Sequence, residues 1–322
     1  MNRFKPDCPH RWSTQLARAQ VFPLLAVIVL VMSAPSGAAF PRATAAPGDP
    51  VIVTAGDIAC ATTIAAYNGG NGTATQCRQK HTSELILGAD AVLTLGDHVY
   101  PTGTLTQFNA VYEPTWGRKK SVTYPTPGDH DYGSTGGKGY FAYFGVKPYY
   151  SFDIGSWHFI SLNSEIDHAE GSAQEQWLRD DLASTSKPCI GAYWGTPRFS
   201  SGRHGSNATF KPFWDALYEA RTDLVLSGDD HDYERFAKQT PDGVASADGI
   251  RQFVVGTGGR SLYGFKTIQP NSEVRAKVFG VLQLTLGVDH YEWRFLPESG
   301  SFQDSGITTC NAKTNVATTP DL

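Results

Sequence analysis

Short apolar runs recur along the chain, and each ends in a turn rich in glycine, aspartate or asparagine. Six runs have the length and apolar continuity of buried strands: 51–57, 91–97, 157–164, 189–195, 223–230 and 251–259. Three segments alternate apolar and polar positions, as half-buried strands do: 149–155, 279–287 and 290–297. The pattern predicts many strands within one domain.

Helical periodicity appears between some of these strands. It predicts helices near 78–88, 104–113, 172–184 and 210–220, and Ser172 with Glu175 predicts a capping box at the start of the third. Mixed strands, interspersed helices and late strand pairs predict the α/β class, with two mixed sheets packed face to face in a four-layer α/β/β/α sandwich. We find no internal repeat and no linker after about residue 50, so 46–322 is predicted to be one domain.

Composition narrows the possible partners. The 322 residues are 40% hydrophobic and 18% charged, which is ordinary for a globular protein, and the net charge is −4. A chain without a broad basic surface is a poor match for nucleic acid, so we expect no nucleic-acid partner. We expect a monomer with a local, focused site.

The first 45 residues differ in character from the rest. Basic residues precede the apolar run 21–32, and small residues follow it, which predicts an export signal with cleavage after about Ala39 or Ala45. A membrane anchor is the alternative, but about a dozen apolar residues interrupted by Pro23 fall short of the roughly 20 that a span needs. We therefore expect residues 1–45 to be signal and linker. The mature protein is expected to be secreted, periplasmic or extracellular, with no membrane segment.

The number of cysteines is consistent with export. Removal of the signal would leave Cys60, Cys77, Cys189 and Cys310, an even number in an oxidising compartment. A bridge from Cys60 to Cys77 would pin the loop between them, and one from Cys189 to Cys310 would tie the C-terminal tail to a strand. Four buried thiols are the alternative.

Chemistry-bearing side chains gather where the predicted strands end. Asp57, Asp97, Asn163 and the turn 229–231 follow apolar runs, and the segment TPGDHDY lies at 126–132. The carboxyl ends of strands border the ligand crevice of an open α/β sheet. Carboxylates and imidazoles converging there are typical donors for a pair of divalent metal ions that promote displacement at phosphorus.

Five segments carry a family resemblance. AGDIA, LTLGDHVYP, TPGDHDY, AYWGTPRFSSGRHGS and LSGDDHDYERF, in this order, resemble the motifs of the calcineurin-like metallophosphoesterases, close to secreted single-domain bacterial relatives of purple acid phosphatases. The resemblance covers about residues 51–310. It implies the four-layer fold, a two-metal site and hydrolysis of a small phosphoester.

Carried over by position, the resemblance implies one complete metal site and one altered site. The first would use Asp57, Asp97, Tyr100 and His231 and would hold iron, manganese or zinc. The family pattern has asparagine at 129 and histidine at 195 and 229, where this chain has Asp129, Gly195 and Asp229. A second site built from Asp97, Asp129 and Asp229 favours Mn²⁺, Mg²⁺ or Ca²⁺, because these ions prefer oxygen donors. In addition, His98 stands where relatives have asparagine.

Two functions follow from these departures. In one, the protein is a phosphatase-type hydrolase in which His130, oriented by Asp131, protonates the leaving oxygen while Arg203 and His204 face the substrate. In the other, the protein is an impaired pseudoenzyme that binds one metal or phosphate without turnover. The segment GTGGRS at 256–261 is interpreted as a glycine-rich turn, because it lacks the lysine and the strand-to-helix context of a phosphate-binding loop.

Overall fold

Two mixed β-sheets form the centre of the computed structural model, which describes residues 46, 48–133 and 136–311. The first sheet has the order β15-β14-β13-β1-β3-β5 and the second the order β12-β10-β11-β9-β8-β7-β6. The strands of the first sheet are β1 (Val51–Ala55), β3 (Ala91–Leu95), β5 (Thr123–Thr126), β13 (Gly280–Leu286), β14 (His290–Pro297) and β15 (Ser305–Thr309). Those of the second are β6 (Tyr150–Ile154), β7 (Trp157–Ser161), β8 (Cys189–Trp194), β9 (Leu224–Ser227), β10 (Tyr233–Phe236), β11 (Arg251–Val255) and β12 (Ser272–Ala276). Two short strands, β2 (Ala59–Cys60) and β4 (Val99–Tyr100), pair separately.

Each sheet contains a parallel core. Strands β1, β3 and β5 are parallel to one another, as are β7, β8, β9 and β11, whereas the outer strands pair antiparallel. Parallel strands end at the same edge of a sheet, so the loops after these seven strands lie side by side. This edge holds the candidate site.

The helices are shorter than the sequence predicts in two places. Only α1 (Gln79–Thr82) is helical within 78–88, and 104–113 divides into α2 (Leu105–Gln107) and a π-helix (Phe108–Tyr112). Helices α3 (Asp129–Tyr132) and α4 (Lys138–Phe144) precede β6, and α5 (Ala173–Ser184) and α6 (Lys211–Glu219) flank β8. 3₁₀ segments occur at Asn68–Gly70, Trp116–Val122 and Ala208–Phe210.

The capping prediction for α5 is half correct. The Ser172 hydroxyl accepts from the Glu175 amide at 3.3 Å, as predicted. The Glu175 carboxylate, however, accepts from the Gly171 amide at 3.0 Å, one residue before the N-cap. The backbone amides of Gly171 and Glu175, at the start of the helix, therefore both have a hydrogen-bond acceptor.

Two apolar layers hold the fold together. One lies between the sheets, where Val92 and Leu284 of the first sheet share a cluster with Tyr193 and Phe253 of the second. The other lies between the second sheet and its helices and includes Ile190, Leu178 of α5 and Trp214 of α6. The predicted α/β class and sandwich of two mixed sheets are confirmed.

Both predicted disulfides are present. Cys60 pairs with Cys77, and Cys189 with Cys310. The second bridge links residues 121 positions apart and fixes the C-terminal segment to β8. Among the described residues, no helix is long and apolar enough to cross a membrane. The export signal predicted for 1–45 lies outside the described residues.

Candidate metal centre

The loops after the parallel strands bring the predicted ligands to one edge. Asp57 follows β1, Asp97 follows β3 and Asp129 follows β5. From the second sheet, Gly195 follows β8 and Asp229 follows β9. The site is therefore assembled from both sheets where their parallel strands end.

Three donor atoms lie around the hydroxyl of Tyr100, and together with it they belong to the four residues that the sequence predicts as ligands of the first metal ion. This hydroxyl lies 2.5 Å from Asp57 Oδ1, 2.7 Å from Asp97 Oδ2 and 3.0 Å from His231 Nε2. His231 Nε2 also lies 3.0 Å from Asp57 Oδ1. All four residues are buried. Two carboxylates, a phenol and an imidazole with mutually close donor atoms form a suitable donor set for a transition-metal ion.

Backbone geometry explains why aspartate and glycine recur at these turns. Asp57, Asp97 and Asp229 all adopt left-handed φ values, of 60°, 53° and 66°. Asparagine and aspartate tolerate that region better than other non-glycine residues. The preceding Gly228 is required by close approach, because a Cβ there would lie 2.5 Å from the Leu95 carbonyl oxygen. The two sheets can meet at the site only with glycine at this position.

The glycine-rich segment 256–261 fixes the imidazole of His231. Its Ser261 hydroxyl lies 2.8 Å from His231 Nδ1, which leaves Nε2 to face the other donors. The Tyr263 amide donates to the His231 carbonyl at 2.8 Å, and the Tyr263 ring stacks on the imidazole with centroids 4.0 Å apart. A hydrogen bond at the second ring nitrogen is the usual way to orient a ligating histidine. The segment is thus a turn, as predicted, and it also orients the imidazole of His231, a predicted ligand.

A second group of donors lies beside Asp97. Asp97, Asp129 and His130 each place one potential ligand atom within 4.8 Å of the others. The His130 amide donates to Asp97 Oδ1 at 2.9 Å, which holds the start of α3 against the shared aspartate. The predicted ligand Asp229 belongs to the same edge, and its amide donates to Asp57 Oδ2 at 2.9 Å. It is not a member of the three-residue group.

At position 195, a neighbouring serine takes up the space beside the glycine. A Cβ at Gly195 would lie 2.9 Å from Ser164 Oγ and 3.5 Å from Gly128 Cα. The Ser164 hydroxyl donates to Glu165 Oε1 at 2.7 Å. A side chain at 195 would therefore enter the site next to the loop of Asp129, and in its absence a hydroxyl and a carboxylate lie there.

The carboxylates of the site lack balancing cations. Burial raises the pKa of Asp97 well above its usual range, and neighbouring carboxylates add to the shift. Burial, again with nearby negative charges, raises the pKa of Asp229 to about 8. Within the described ranges, no lysine or arginine pairs with Asp57, Asp97, Asp129 or Asp229. Asp57 and Asp97 are buried, and buried carboxylates that pair with no lysine or arginine fit a site that binds metal ions.

The structure corrects the expected role of Asp131. Its carboxylate does not orient His130; instead it accepts from the amide and the Nδ1 of His98, at 3.0 and 2.8 Å. The orienting group for His130 is the carbonyl of Pro101, 2.7 Å from Nδ1. Asp131 is fully buried beneath the loop, so it cannot reach the exposed imidazole edge of His130.

His98 is a core residue. It is fully buried, its Nε2 lies 2.6 Å from the Thr94 hydroxyl, and its ring packs among aromatic side chains such as Tyr140 and Phe144. The imidazole gained next to Asp97 therefore points away from the metal donors.

Arg203 and His204 lie at the exposed mouth of the site. Arg203 Cζ is 4.9 Å from the Tyr263 ring centroid, and the His204 ring centroid is 5.7 Å from the same ring. Their loop is held by buried Asp230, whose carboxylate accepts from the amides of His204 at 2.7 Å and Gly205 at 3.1 Å. Both side chains are thus placed near His231 without contacting the donor atoms.

A family profile for calcineurin-like phosphoesterases matches residues 51–233. The chain belongs to this family. Among curated phosphoesterases, the probable purple acid phosphatase 20 of Arabidopsis thaliana is 32% identical over 161 residues, which are 46% of this chain and 37% of that protein. The matched region thus spans well under half of this relative's length.

Two solved structures share the phosphoesterase fold. Purple acid phosphatase PPD1 from yellow lupin seeds superposes with a TM-score of 0.68 at 20% identity, over 81% of this chain and 53% of that one. GAP50, described as the anchor in the inner membrane complex of Plasmodium, gives 0.61 at 15% identity, over 82% and 89% of the two chains.

The sequence motifs do not mark several residues that lie at the site. Arg260 and Ser261 lie in the glycine-rich turn 256–261, Tyr263 lies two residues after it, and Ser164 lies beside Gly195. The position of the glycine-rich loop directly after β11 is one usable signal for Arg260 and Ser261. A loop that follows a parallel strand lies at the same edge of the sheet as the predicted ligands. No sequence pattern marks Ser164.

Proposed function

We propose that the protein is a secreted, metal-dependent phosphoester hydrolase of the phosphatase type. One observation carries the proposal: the donor atoms of Asp57, Asp97 and His231 all lie within 3.0 Å of the Tyr100 hydroxyl, in a buried site where no described lysine or arginine forms an ion pair with the two carboxylates. Its substrate would be a small phosphoester, and the protein would act as a monomer outside the cytoplasm. Two disulfides are consistent with that compartment.

Two metal positions are part of the proposal. Asp57, Asp97, Tyr100 and His231 would hold iron, manganese or zinc. Asp97, Asp129 and Asp229 would hold Mn²⁺, Mg²⁺ or Ca²⁺, because their donors are oxygens. Asp97 would bridge the two positions.

When bound, the ions would supply a nucleophilic water and positive charge for the phosphoryl oxygens. Residues of the chain would donate a proton, orient His231 and contact the substrate. The Pro101 carbonyl keeps the proton on His130 Nδ1, so Nε2 faces outward and can donate a proton to the leaving oxygen once the ring is protonated. Ser261 keeps His231 Nε2 directed at the donor cluster. Arg203 and His204 stand where the non-reacting part of a substrate would lie.

The second candidate is a pseudoenzyme that binds one metal or phosphate without turnover. Gly195 favours it, because this residue offers no donor to a second ion and the adjacent Ser164 hydroxyl is engaged with Glu165. The acidic pair Asp129 and Asp229 favours the hydrolase, since both offer oxygen donors at the altered positions.

Assay of the purified protein on a chromogenic phosphomonoester, with Mn²⁺, Mg²⁺, Zn²⁺ and Fe³⁺ added separately, tests the proposal. We expect turnover with Mn²⁺ or Mg²⁺, loss of turnover in Asp129→Ala, and loss of bound metal in Asp57→Ala by elemental analysis. The matched control is Asp248→Asn, which changes an exposed carboxylate that is not among the predicted site residues. It should alter neither turnover nor the content of bound metal.

A compound variant separates the two candidates. It combines Gly195→His, Asp229→His and Asp129→Asn, with Ser164→Ala to make room at 195. For a degenerate site, this variant should gain a second metal and activity by orders of magnitude, because a second ion contributes several kcal/mol to charge stabilisation. Inactivity of the unmodified protein with every metal, together with this gain, would reject the hydrolase.

A further inference from the structure

A cleft of about 440 Å³ opens beside β6, the outermost strand of the second sheet. It lies between the segment that leads into β6 and the helix α5, and its lining includes Lys147, Tyr149, Ser151, Trp177 and Asp181. None of the loops that carry the metal donors contributes to this lining. The cleft is therefore a feature separate from the metal centre.

Trp177 differs from the other tryptophans in its exposure. Within the described ranges it is the one tryptophan that is not buried, although it packs against the apolar layer beneath α5. Tyr149 is partly exposed as well, and the centroids of the two rings lie 4.9 Å apart with their planes inclined by 49°. Aromatic surface that lines a cleft and carries polar tips is typical of a ligand site.

Asp181 supplies hydrogen-bond acceptors at a fixed position in the cleft. Its Oδ1 accepts from the Ser151 hydroxyl at 2.6 Å, and its Oδ2 lies 2.8 Å from His158 Nε2. A carboxylate has about four lone-pair sites, so each oxygen can still accept a bond from a ligand. Because the side chain is already held, little further entropy is lost when a ligand binds to it.

Three side chains supply donors around the same rings. The Lys147 ammonium, the Trp177 indole N–H and the Tyr149 hydroxyl have no hydrogen-bond or ion-pair partner in the part of the chain that the structure describes. The tyrosine hydroxyl can also accept a hydrogen bond. The rim of the cleft thus offers both donors and acceptors to a ligand that packs on the rings.

The geometry of the two rings discriminates between classes of ligand. A flat ring bound between two aromatic faces needs about 7 Å between them, twice a van der Waals contact of about 3.5 Å. The centroids of Tyr149 and Trp177 are closer than this, and their planes are inclined, so the rings form a wedge and not a slot. This geometry disfavours an inserted nucleobase. Lys147 disfavours a quaternary ammonium ion, because its positive charge would repel one.

A pyranose sugar meets all of these constraints. Its C–H groups form apolar faces that pack on aromatic rings, whose own faces carry partial negative charge. Its hydroxyls are donors and acceptors at once, so they match a rim that holds both kinds of group. We propose that the cleft binds a neutral oligosaccharide, stacked on Trp177 and Tyr149 and hydrogen-bonded to Asp181 and Lys147. Such a site would hold the protein on a polysaccharide and would need neither metal nor hydrolysis.

Calorimetry with cellohexaose, maltohexaose and chitohexaose, each titrated separately into the purified protein, tests the proposal. We expect saturable binding of at least one of them, with the same Kd in the presence and absence of EDTA. Trp177→Ala and Tyr149→Ala should each weaken this binding about tenfold, because one aromatic contact contributes a factor of about that size. The matched control, Tyr218→Ala, also removes a partly exposed ring that packs against the layer beneath α5, but outside the cleft, and should leave Kd unchanged.

Several results would overturn the proposal. One is the absence of saturable binding of all three oligosaccharides up to about 10 mM. Another is binding that EDTA abolishes, or that both cleft variants leave unchanged, since the sugar would then lie elsewhere. Equal weakening in Tyr218→Ala would also overturn it, because the loss would not be specific to the cleft. If Trp177→Ala fails to fold, Tyr149→Ala decides alone, since its ring belongs to neither apolar layer. Turnover of phosphoesters does not enter this test, so failure of the hydrolase function leaves its result unaffected.

Discussion

Asp232 is a buried carboxylate whose ionisation should control stability. It is fully buried, and neither of its oxygens has a hydrogen-bond partner in the described part of the chain. Burial raises its pKa to about 9, and the negative charges of Asp230, Glu234 and Asp57 add to the effect. The folded protein therefore keeps this group protonated at neutral pH, whereas the unfolded chain ionises it near pH 3.9.

The sign and size of the effect follow from proton linkage. Between about pH 4 and pH 9 the folded state binds one proton more than the unfolded state, so stability falls as pH rises. At pH 7 the loss amounts to about 3 pH units at about 1.4 kcal/mol each, or about 4 kcal/mol. Asp232→Asn removes this linkage. Its amide adds a buried donor that costs about 1–2 kcal/mol, so a net gain of about 2–3 kcal/mol is expected at pH 7.

Urea unfolding at pH 5 and pH 8, with disulfides intact and metal removed by EDTA, measures this effect. The stability difference between Asp232→Asn and wild type should grow by about 4 kcal/mol over these 3 units, whatever the constant cost of the amide. Asp248→Asn, whose carboxylate is 71% exposed, should show no such growth. A difference for Asp232→Asn that stays within about 1 kcal/mol across the range would show that Asp232 is ionised and partnered when folded.

Two further predictions concern the disulfides and His130. Alanine substitution of the Cys189–Cys310 bridge should destabilise the fold by about 5 kcal/mol, and alanine substitution of Cys60–Cys77 by about 3 kcal/mol. The first loss is larger because that bridge closes a loop of 121 residues, whereas the second closes one of 17. Equal losses of stability in thermal or urea unfolding would contradict this. His130→Asn should reduce turnover about 10²–10⁴-fold with metal content unchanged. Loss of one metal per chain by elemental analysis would instead make His130 a ligand.

The sequence predicted the strands that precede Asp57 and Asp97, two of the residues proposed for the first metal position. Asp57 and Asp97 each follow a strand that is apolar except for one threonine, and the parallel pairing of β1 with β3 brings their turns together. Apolar runs bounded by glycine and aspartate give a strong local signal. The strands β5, β12 and β15 gave a weaker one, since each is short or carries exposed polar positions, and they were not predicted.

Roles that depend on side-chain direction could not be predicted. His98 and His130 follow aspartates in similar short motifs, yet one is fully buried against Asp131 and the other partly exposed near Asp129. The difference arises because His98 lies between β3 and β4 and faces the aromatic core, whereas His130 lies in the first turn of α3 at the surface. Tertiary packing, not local spacing, determines which imidazole reaches the site.

The acidic turn 229–232 shows how one segment accommodates like charges that should repel. Asp229 lies at the metal edge, where a cation would balance it. Asp230 is compensated by the amides of His204 and Gly205, so its charge is used to hold the loop of Arg203. Asp232 is buried without partners and stays protonated, as its raised pKa implies. The charges around His231 are therefore balanced in three different ways, and each can be perturbed separately. Removal of metal should leave the charge of Asp229 unbalanced, and loss of the loop contacts should do the same to Asp230. A rise in pH should ionise Asp232.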